Sequence, residues 1–133
     1  MIFTIFAQML ISLNKFFSDK MMDLSITKID RDNKIPHILD YINKNLSKKL
    51  SLDLLSSIFY INKYHLCHLF KKNTGFTVQE YVIYKRIMKA KELLSQGISA
   101  VETCDAVGFG DYSNFYRYFK KVVGKTPKEF FMQ

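Results

Sequence analysis

A 13-residue pattern occurs twice in this 133-residue chain, and its second copy begins 49 residues after the first. The first copy, beginning at Leu69, reads LFKKNTGFTVQEY, and the second, beginning at Tyr118, reads YFKKVVGKTPKEF. Both contain Phe-Lys-Lys, a glycine, a threonine and a glutamate at the same offsets, and an aromatic residue follows each glutamate. These identities in register indicate a duplicated unit, so both copies should adopt the same local structure.

The repeated residues have the chemistry of helix ends. Glycine adopts the left-handed conformation that closes a helix without steric cost, which predicts helix ends at Gly75 and Gly124. A threonine followed three residues later by glutamate is a capping box, which begins a helix. Each copy therefore predicts a helix, a glycine stop and a newly capped helix. The capping boxes are Thr77 with Glu80 and Thr126 with Glu129.

A short helix and a turn precede each Phe-Lys-Lys. In the first copy a helix over Leu52–Phe59 breaks before Asn62, which is a good N-cap for a second helix. In the second copy Ser99 opens a helix, a glycine-containing turn follows, and Asp111 caps the next helix. Two helices separated by a tight turn form a helix-turn-helix unit. The predicted fold is all-α, with helix-turn-helix units at about 51–74 and 99–123 joined by a long linker helix at about 78–95.

The second helix of each unit has an apolar and a polar face on a wheel of 100° per residue. Each polar face carries hydrogen-bonding side chains in its middle and lysines one turn later. A helix that reaches base edges with its first turns and phosphates with its later ones has this layout. The outward residues are Tyr64, Cys67, His68, Lys71 and Lys72 in the first unit and Ser113, Tyr116, Arg117, Lys120 and Lys121 in the second.

Each of these assignments has a structural alternative. The lysines could form an ordinary solvated face, and Arg117 could instead pair with Asp111 within the chain. His65 lies beside Leu69 on the wheel, which predicts a half-buried structural role for it rather than a role in binding.

Charge and cysteine content limit the function classes. The net charge is +8, and residues 63–133 contribute most of it, which favours a polyanionic partner such as nucleic acid. Two cysteines are too few for a disulfide framework or a four-cysteine metal site. No catalytic constellation or phosphate loop is recognisable, and no apolar run reaches the roughly 18 residues that span a bilayer. We expect a cytoplasmic protein without cofactor or metal that is not an enzyme.

From about Lys34 to Phe131 the chain resembles the DNA-binding domain of the bacterial AraC/XylS family of transcription regulators. The most specific match is Val107–Asp111 followed by Phe115, Arg117, Phe119–Lys121, Gly124 and Pro127. Further matches are Leu50–Leu55, His65–Lys72 with Gly75, Glu80 with Tyr81, and Arg86–Leu94.

The resemblance implies a seven-helix domain at 34–133 whose two second helices enter successive major grooves of double-stranded DNA, about 34 Å apart. It also implies a regulator, an activator by family habit, that works with RNA polymerase. The implied base contacts are Tyr64, Cys67, His68, Ser113, Asn114 and Arg117, although the wheel does not turn Asn114 outward. The expected contacts with the DNA backbone are Lys63, Lys71, Lys72, Tyr116, Lys120 and Lys121.

The chain departs from the family pattern in the first helix of the second unit. Ala100 and Thr103-Cys104 stand where family members usually have Ile and Ile-Ala. Smaller or polar groups there should weaken that unit's packing, by on the order of 1 kcal/mol per lost group. Cys67 is also an unusual base contact, because its thiol is a weak donor and acceptor.

Residues 1–33 lie outside the resemblance. Apolar residues over Ile2–Phe17 follow helical spacing and predict an amphipathic helix, with a polar linker after it. This helix could pack on the DNA-binding part, form a homodimer or belong to a sensor region of a longer regulator, and a membrane role is disfavoured by its few cations. A rival function is a helical interaction module with weak, non-specific DNA binding, and a third is a fragment that binds DNA without regulating.

Overall fold

The computed structural model describes residues 34–131 and places seven helices there without any strand. The all-α prediction, with two helix-turn-helix units and a linker helix between them, is confirmed. The predicted N-terminal amphipathic helix lies outside the described residues. The helices are α1 (Ile35–Lys44), α2 (Leu52–Ile58), α3 (Lys63–Thr74), α4 (Val78–Ser95), α5 (Ala100–Val107), α6 (Tyr112–Val123) and α7 (Pro127–Phe131).

The predicted capping residues set the helix ends. Asn62 accepts a hydrogen bond from the Tyr64 N–H at 2.8 Å and begins α3. Asp111 accepts one from the Ser113 N–H at 2.9 Å and begins α6. Both helices end at a left-handed glycine, and both capping boxes that follow are formed. The two repeats therefore share their local structure, as the sequence predicts.

The linker helix α4 contributes to two separate apolar cores, one in each unit. Its first half buries Tyr81 and Val82 against the first unit. Its second half buries Ile87 and Leu94 against the second unit. The remaining buried core residues are Ile35, Ile38, Leu39, Ile42, Leu55, Leu66, Phe70 and Val78 in the first core and Ala90, Cys104, Val107, Phe115, Phe119 and Val122 in the second.

The second core contains polar atoms at the positions that depart from the family pattern. Thr103 is 0% exposed, and its hydroxyl has no hydrogen-bond partner among residues 34–131. Cys104 is also buried, and desolvation raises the pKa of its thiol above the ordinary value. An unpartnered buried hydroxyl destabilises the folded state, because it loses its hydrogen bonds to water.

Candidate nucleic-acid interface

The first candidate surface is the exposed face of α3. Leu66 and Phe70 are fully buried and fix the orientation of this helix, while Tyr64 on the opposite side is 88% exposed. Cys67, His68, Lys71 and Lys72 are exposed on the same side, as the wheel predicts. Together with Tyr64 they line a shallow depression of about 480 Å³. A depression bordered by a phenol, a thiol, an imidazole and two ammonium groups suits a polar, anionic surface.

The turn that leads into α3 is held by a side chain from outside the unit. The Lys34 ammonium donates to the carbonyl oxygens of Phe59 at 2.7 Å and Tyr60 at 3.2 Å. Tyr60 adopts a left-handed backbone with φ of 51°, and its side chain is 90% exposed. These bonds stabilise a tight turn without glycine, so the start of α3 has a defined position.

His65 does not occupy the half-buried position that the wheel predicts. It is exposed, and Leu69 beside it is only partly buried at the edge of the first core. The prediction is wrong because a helical wheel assigns direction from the helix axis but does not show where the neighbouring helices end.

The second candidate surface is the exposed face of α6. Phe115 and Phe119 are fully buried, which turns Ser113, Arg117 and Lys120 outward. The flanking residues Tyr116 and Lys121 are exposed as well, and Tyr116 is 39% exposed. Both second helices thus have an apolar inner face and a polar, basic outer face.

Arg117 makes its contacts with neighbours on its own helix. Its Nη2 donates to the Asn114 side-chain oxygen at 2.9 Å, and its guanidinium lies 5.2 Å from the centroid of the Tyr118 ring. Within the described part of the chain Arg117 forms no ion pair, so the alternative pairing with Asp111 is not observed. Asn114 is half-buried. These contacts orient the guanidinium and leave most of its five donors for an external acceptor.

A cleft of about 740 Å³ lies between the two units, beside α4. Cys67 and Lys71 border it from α3, and Asn114 and Arg117 border it from α6. The structure therefore brings part of the predicted site together around one concave surface. The other predicted residues lie on α3 and α6 away from its lining.

The lysines differ in their surroundings. Lys71, Lys72, Lys120 and Lys121 are exposed in the last turns of their helices. Lys63, at the start of α3, instead pairs with Asp53 of α2. Both partners are largely exposed, and such pairs are worth about 0–1 kcal/mol, so a phosphate could displace the carboxylate.

The described residues do not provide a metal site or a membrane-spanning helix. No three His, Cys, Asp or Glu side chains within 34–131 come close enough to hold a metal ion. No helix in this part of the chain is long and apolar enough to cross a membrane.

Two helix-turn-helix units with basic outer faces define the chain as a helix-turn-helix protein, and comparison with known proteins gives the family. The sequence model of a family described as helix-turn-helix domain matches residues 55–133. The C-terminal domain of the two-component response regulator yesN from Fusobacterium nucleatum is 33% identical, with a TM-score of 0.70 over 74% of this chain and 98% of that one. The chain belongs to the AraC/XylS family of helix-turn-helix transcription regulators.

Two further comparisons involve a longer relative and a structure of lower sequence identity. The bifunctional transcriptional activator/DNA repair enzyme AdaA of Bacillus subtilis is 37% identical over 94 residues, which are 70% of this chain and 44% of that protein. The chain thus spans less than half of this relative. The DNA-binding domain of AdpA, solved with a target DNA, has a TM-score of 0.72 over 76% of this chain and 92% of that one at 18% identity, and shows the shared fold.

Proposed function

We propose that the chain binds double-stranded DNA sequence-specifically by inserting α3 and α6 into successive major grooves. The observation that carries this proposal is the pairing of two helices, each fixed by buried residues on one side and each presenting polar and basic residues on the other. A single basic helix would be an ordinary solvated face, but the same arrangement on two linked units matches a two-site reader of DNA.

Different residues supply specificity and affinity in this proposal. Arg117 is the strongest candidate for a base contact, because its fork of donors matches guanine O6 and N7. Tyr64, Cys67, His68, Ser113 and Asn114 are the other proposed base contacts. The lysines meet phosphates and provide most of the salt-dependent affinity. The proposed backbone contacts are Lys63, Lys71, Lys72, Tyr116, Lys120 and Lys121.

The wider role is proposed from membership of the family and from the activities of related proteins. We propose a cytoplasmic, non-enzymatic activator of bacterial transcription that acts with RNA polymerase. AdaA carries a repair activity, but the match to this chain covers only part of that protein. Residues 34–133 are proposed as the DNA-binding domain, and residues 1–33 as a separate segment whose Ile2–Phe17 stretch supports a homodimer.

The test is a selection from a random DNA library with the full chain at physiological salt. Fluorescence anisotropy then compares the selected DNA with a scrambled duplex of equal length. We expect enrichment of a defined sequence and a preference of at least about a thousandfold over the scrambled duplex. If the chain instead forms a tight dimer and binds all DNA weakly and equally, the interaction-module function is correct and the proposed one is wrong.

A further inference from the structure

Arg86 of the linker helix forms two hydrogen bonds to the loop that precedes the first helix-turn-helix unit. Its Nε donates to the Leu46 carbonyl at 2.9 Å, and its Nη2 donates to the Lys48 carbonyl at 2.9 Å, both in the loop between α1 and α2. The Arg86 side chain is half-buried, and burial lowers the pKa of its guanidinium. These two hydrogen bonds hold the loop between α1 and α2 against α4.

The same loop also contacts the second unit at Gly108. This glycine ends α5 with φ of +92°, at the turn of the second helix-turn-helix. A Cβ at Gly108 would lie 2.7 Å from the Leu46 carbonyl oxygen and 2.9 Å from the Ser47 Cα. The turn of the second unit therefore rests directly on the backbone of the loop between α1 and α2, and only glycine permits that approach.

A series of ring contacts extends from this junction to Arg117. The Arg86 guanidinium lies 6.0 Å from the centroid of the Phe109 ring. Phe109 stacks on Tyr118, with the two ring centroids 6.2 Å apart. The Arg117 guanidinium lies 5.2 Å from the centroid of the Tyr118 ring. Contacts of this kind favour fixed relative positions of the groups involved.

We propose that the junction formed by Arg86, Gly108 and the loop over residues 46–48 is a positioning device that sets the separation and rotation of α6 relative to α3. Arg86 and Gly108 would thereby determine which spacing between two DNA blocks the protein accepts. The inference rests on the proposed function, and it assigns no DNA contact to either residue.

Spacing is a sensitive readout of this geometry. One added or removed base pair between the blocks moves the second block by about 3.4 Å and rotates it by about 35° around the duplex axis. A chain with rigidly linked units should therefore prefer the selected spacing over one base pair more or less by about tenfold or more. Loosely linked units should tolerate the change, because each can follow its own block.

Gly108→Ala tests the junction, and Gly110→Ala is its matched control. Gly110 also has a left-handed backbone, with φ of +70°, but nothing lies within 4 Å of the position of an added Cβ. Both variants carry the backbone strain of alanine, and only Gly108→Ala collides with the loop. We expect Gly108→Ala to reduce the tenfold spacing preference to about threefold or less, and Gly110→Ala to retain it.

Arg86→Lys provides a second test that does not depend on the folding of Gly108→Ala. Lysine keeps the charge and the helix propensity but cannot donate to two carbonyls with a fixed fork. The control is Lys89→Met, which removes an exposed charge from the same helix. We expect Arg86→Lys to lose spacing preference while its affinity for DNA with either block alone changes less than about twofold.

The spacing preference is measured by anisotropy titrations on three duplexes, which have the selected spacing, one base pair more and one base pair less. Uniform weakening on all three duplexes would overturn the proposal, because a purely structural role predicts that result. An unchanged spacing preference in both Gly108→Ala and Arg86→Lys would also overturn it. If the unmodified chain selects no sequence, the proposed function itself is wrong.

Discussion

Replacing Thr103 by valine should stabilise the protein. The Thr103 hydroxyl is fully buried without a partner in the described residues, and such a group costs about 1–3 kcal/mol relative to one that is satisfied. Valine has nearly the same shape and replaces the hydroxyl with a methyl group. We expect Thr103→Val to raise the free energy of unfolding by about 1 kcal/mol, or roughly 4–8 °C in Tm for a domain of this size.

Thr74→Val is the matched control with the opposite expected sign. Thr74 is also buried, at 7% exposure, but its hydroxyl donates to the Phe70 carbonyl at 2.7 Å and accepts from the Phe76 N–H at 3.1 Å. The valine variant leaves both backbone groups without this partner, which should destabilise the fold by about 1–3 kcal/mol.

Urea unfolding followed by far-UV circular dichroism measures both variants. The two free energies of unfolding should fall on opposite sides of the value for the unmodified chain. A loss of stability in Thr103→Val similar to that in Thr74→Val would show that the Thr103 hydroxyl has a hydrogen-bond partner in the folded protein, which contradicts the prediction. The affinity of Thr103→Val for the selected DNA should remain unchanged, since the side chain is not exposed.

Three further predictions concern binding and pH. Arg117→Ala should lose discrimination at one or two base pairs, worth about 1–3 kcal/mol, and an unchanged base profile in a repeated selection would remove Arg117 from the base contacts. Lys71→Ala should weaken binding to selected and random DNA alike and reduce the slope of log affinity against log salt by about 0.9, whereas a loss confined to the selected sequence would contradict a phosphate contact. Burial raises the pKa of Tyr81 from 10.0 to about 12, so its stabilising contribution is complete below pH 10 and is lost as the pH rises from 10 to 12. Urea unfolding across that pH range should show a decline that is smaller in Tyr81→Phe, with a remainder because burial also raises the pKa of Tyr84, and an equal decline in that variant would assign the effect elsewhere.

Helix ends were predictable from the sequence because the chemistry that sets them is local. A cap such as Asn62 or Asp111 bonds to an N–H two residues away, and Gly124 adopts its left-handed conformation within a single residue. The buried and exposed faces of α3 and α6 were predictable for the same reason, since the helical period alone separates Phe119 from Arg117.

Contacts between distant segments were not predictable in this way. Arg86 reaches Leu46 across 40 residues, and no periodic pattern distinguishes a lysine-rich solvated face from one that contains such an arginine. The sequence did not predict the hydrogen bond from Arg117 to Asn114, although the two residues lie three positions apart. Their spacing suits an interaction on one helix face, but the sequence equally allows the ion pair with Asp111.

Recognition of bases by both units is the central feature of the proposed function. This recognition is tested by titrating the full chain against the selected duplex and against two duplexes in which either block alone is scrambled. We expect each scrambled block to reduce affinity by more than about tenfold, since a single lost base contact already costs about 1–3 kcal/mol. An affinity that does not change when one block is scrambled would show that the corresponding helix contacts only the DNA backbone, and would contradict the two-site reading of DNA.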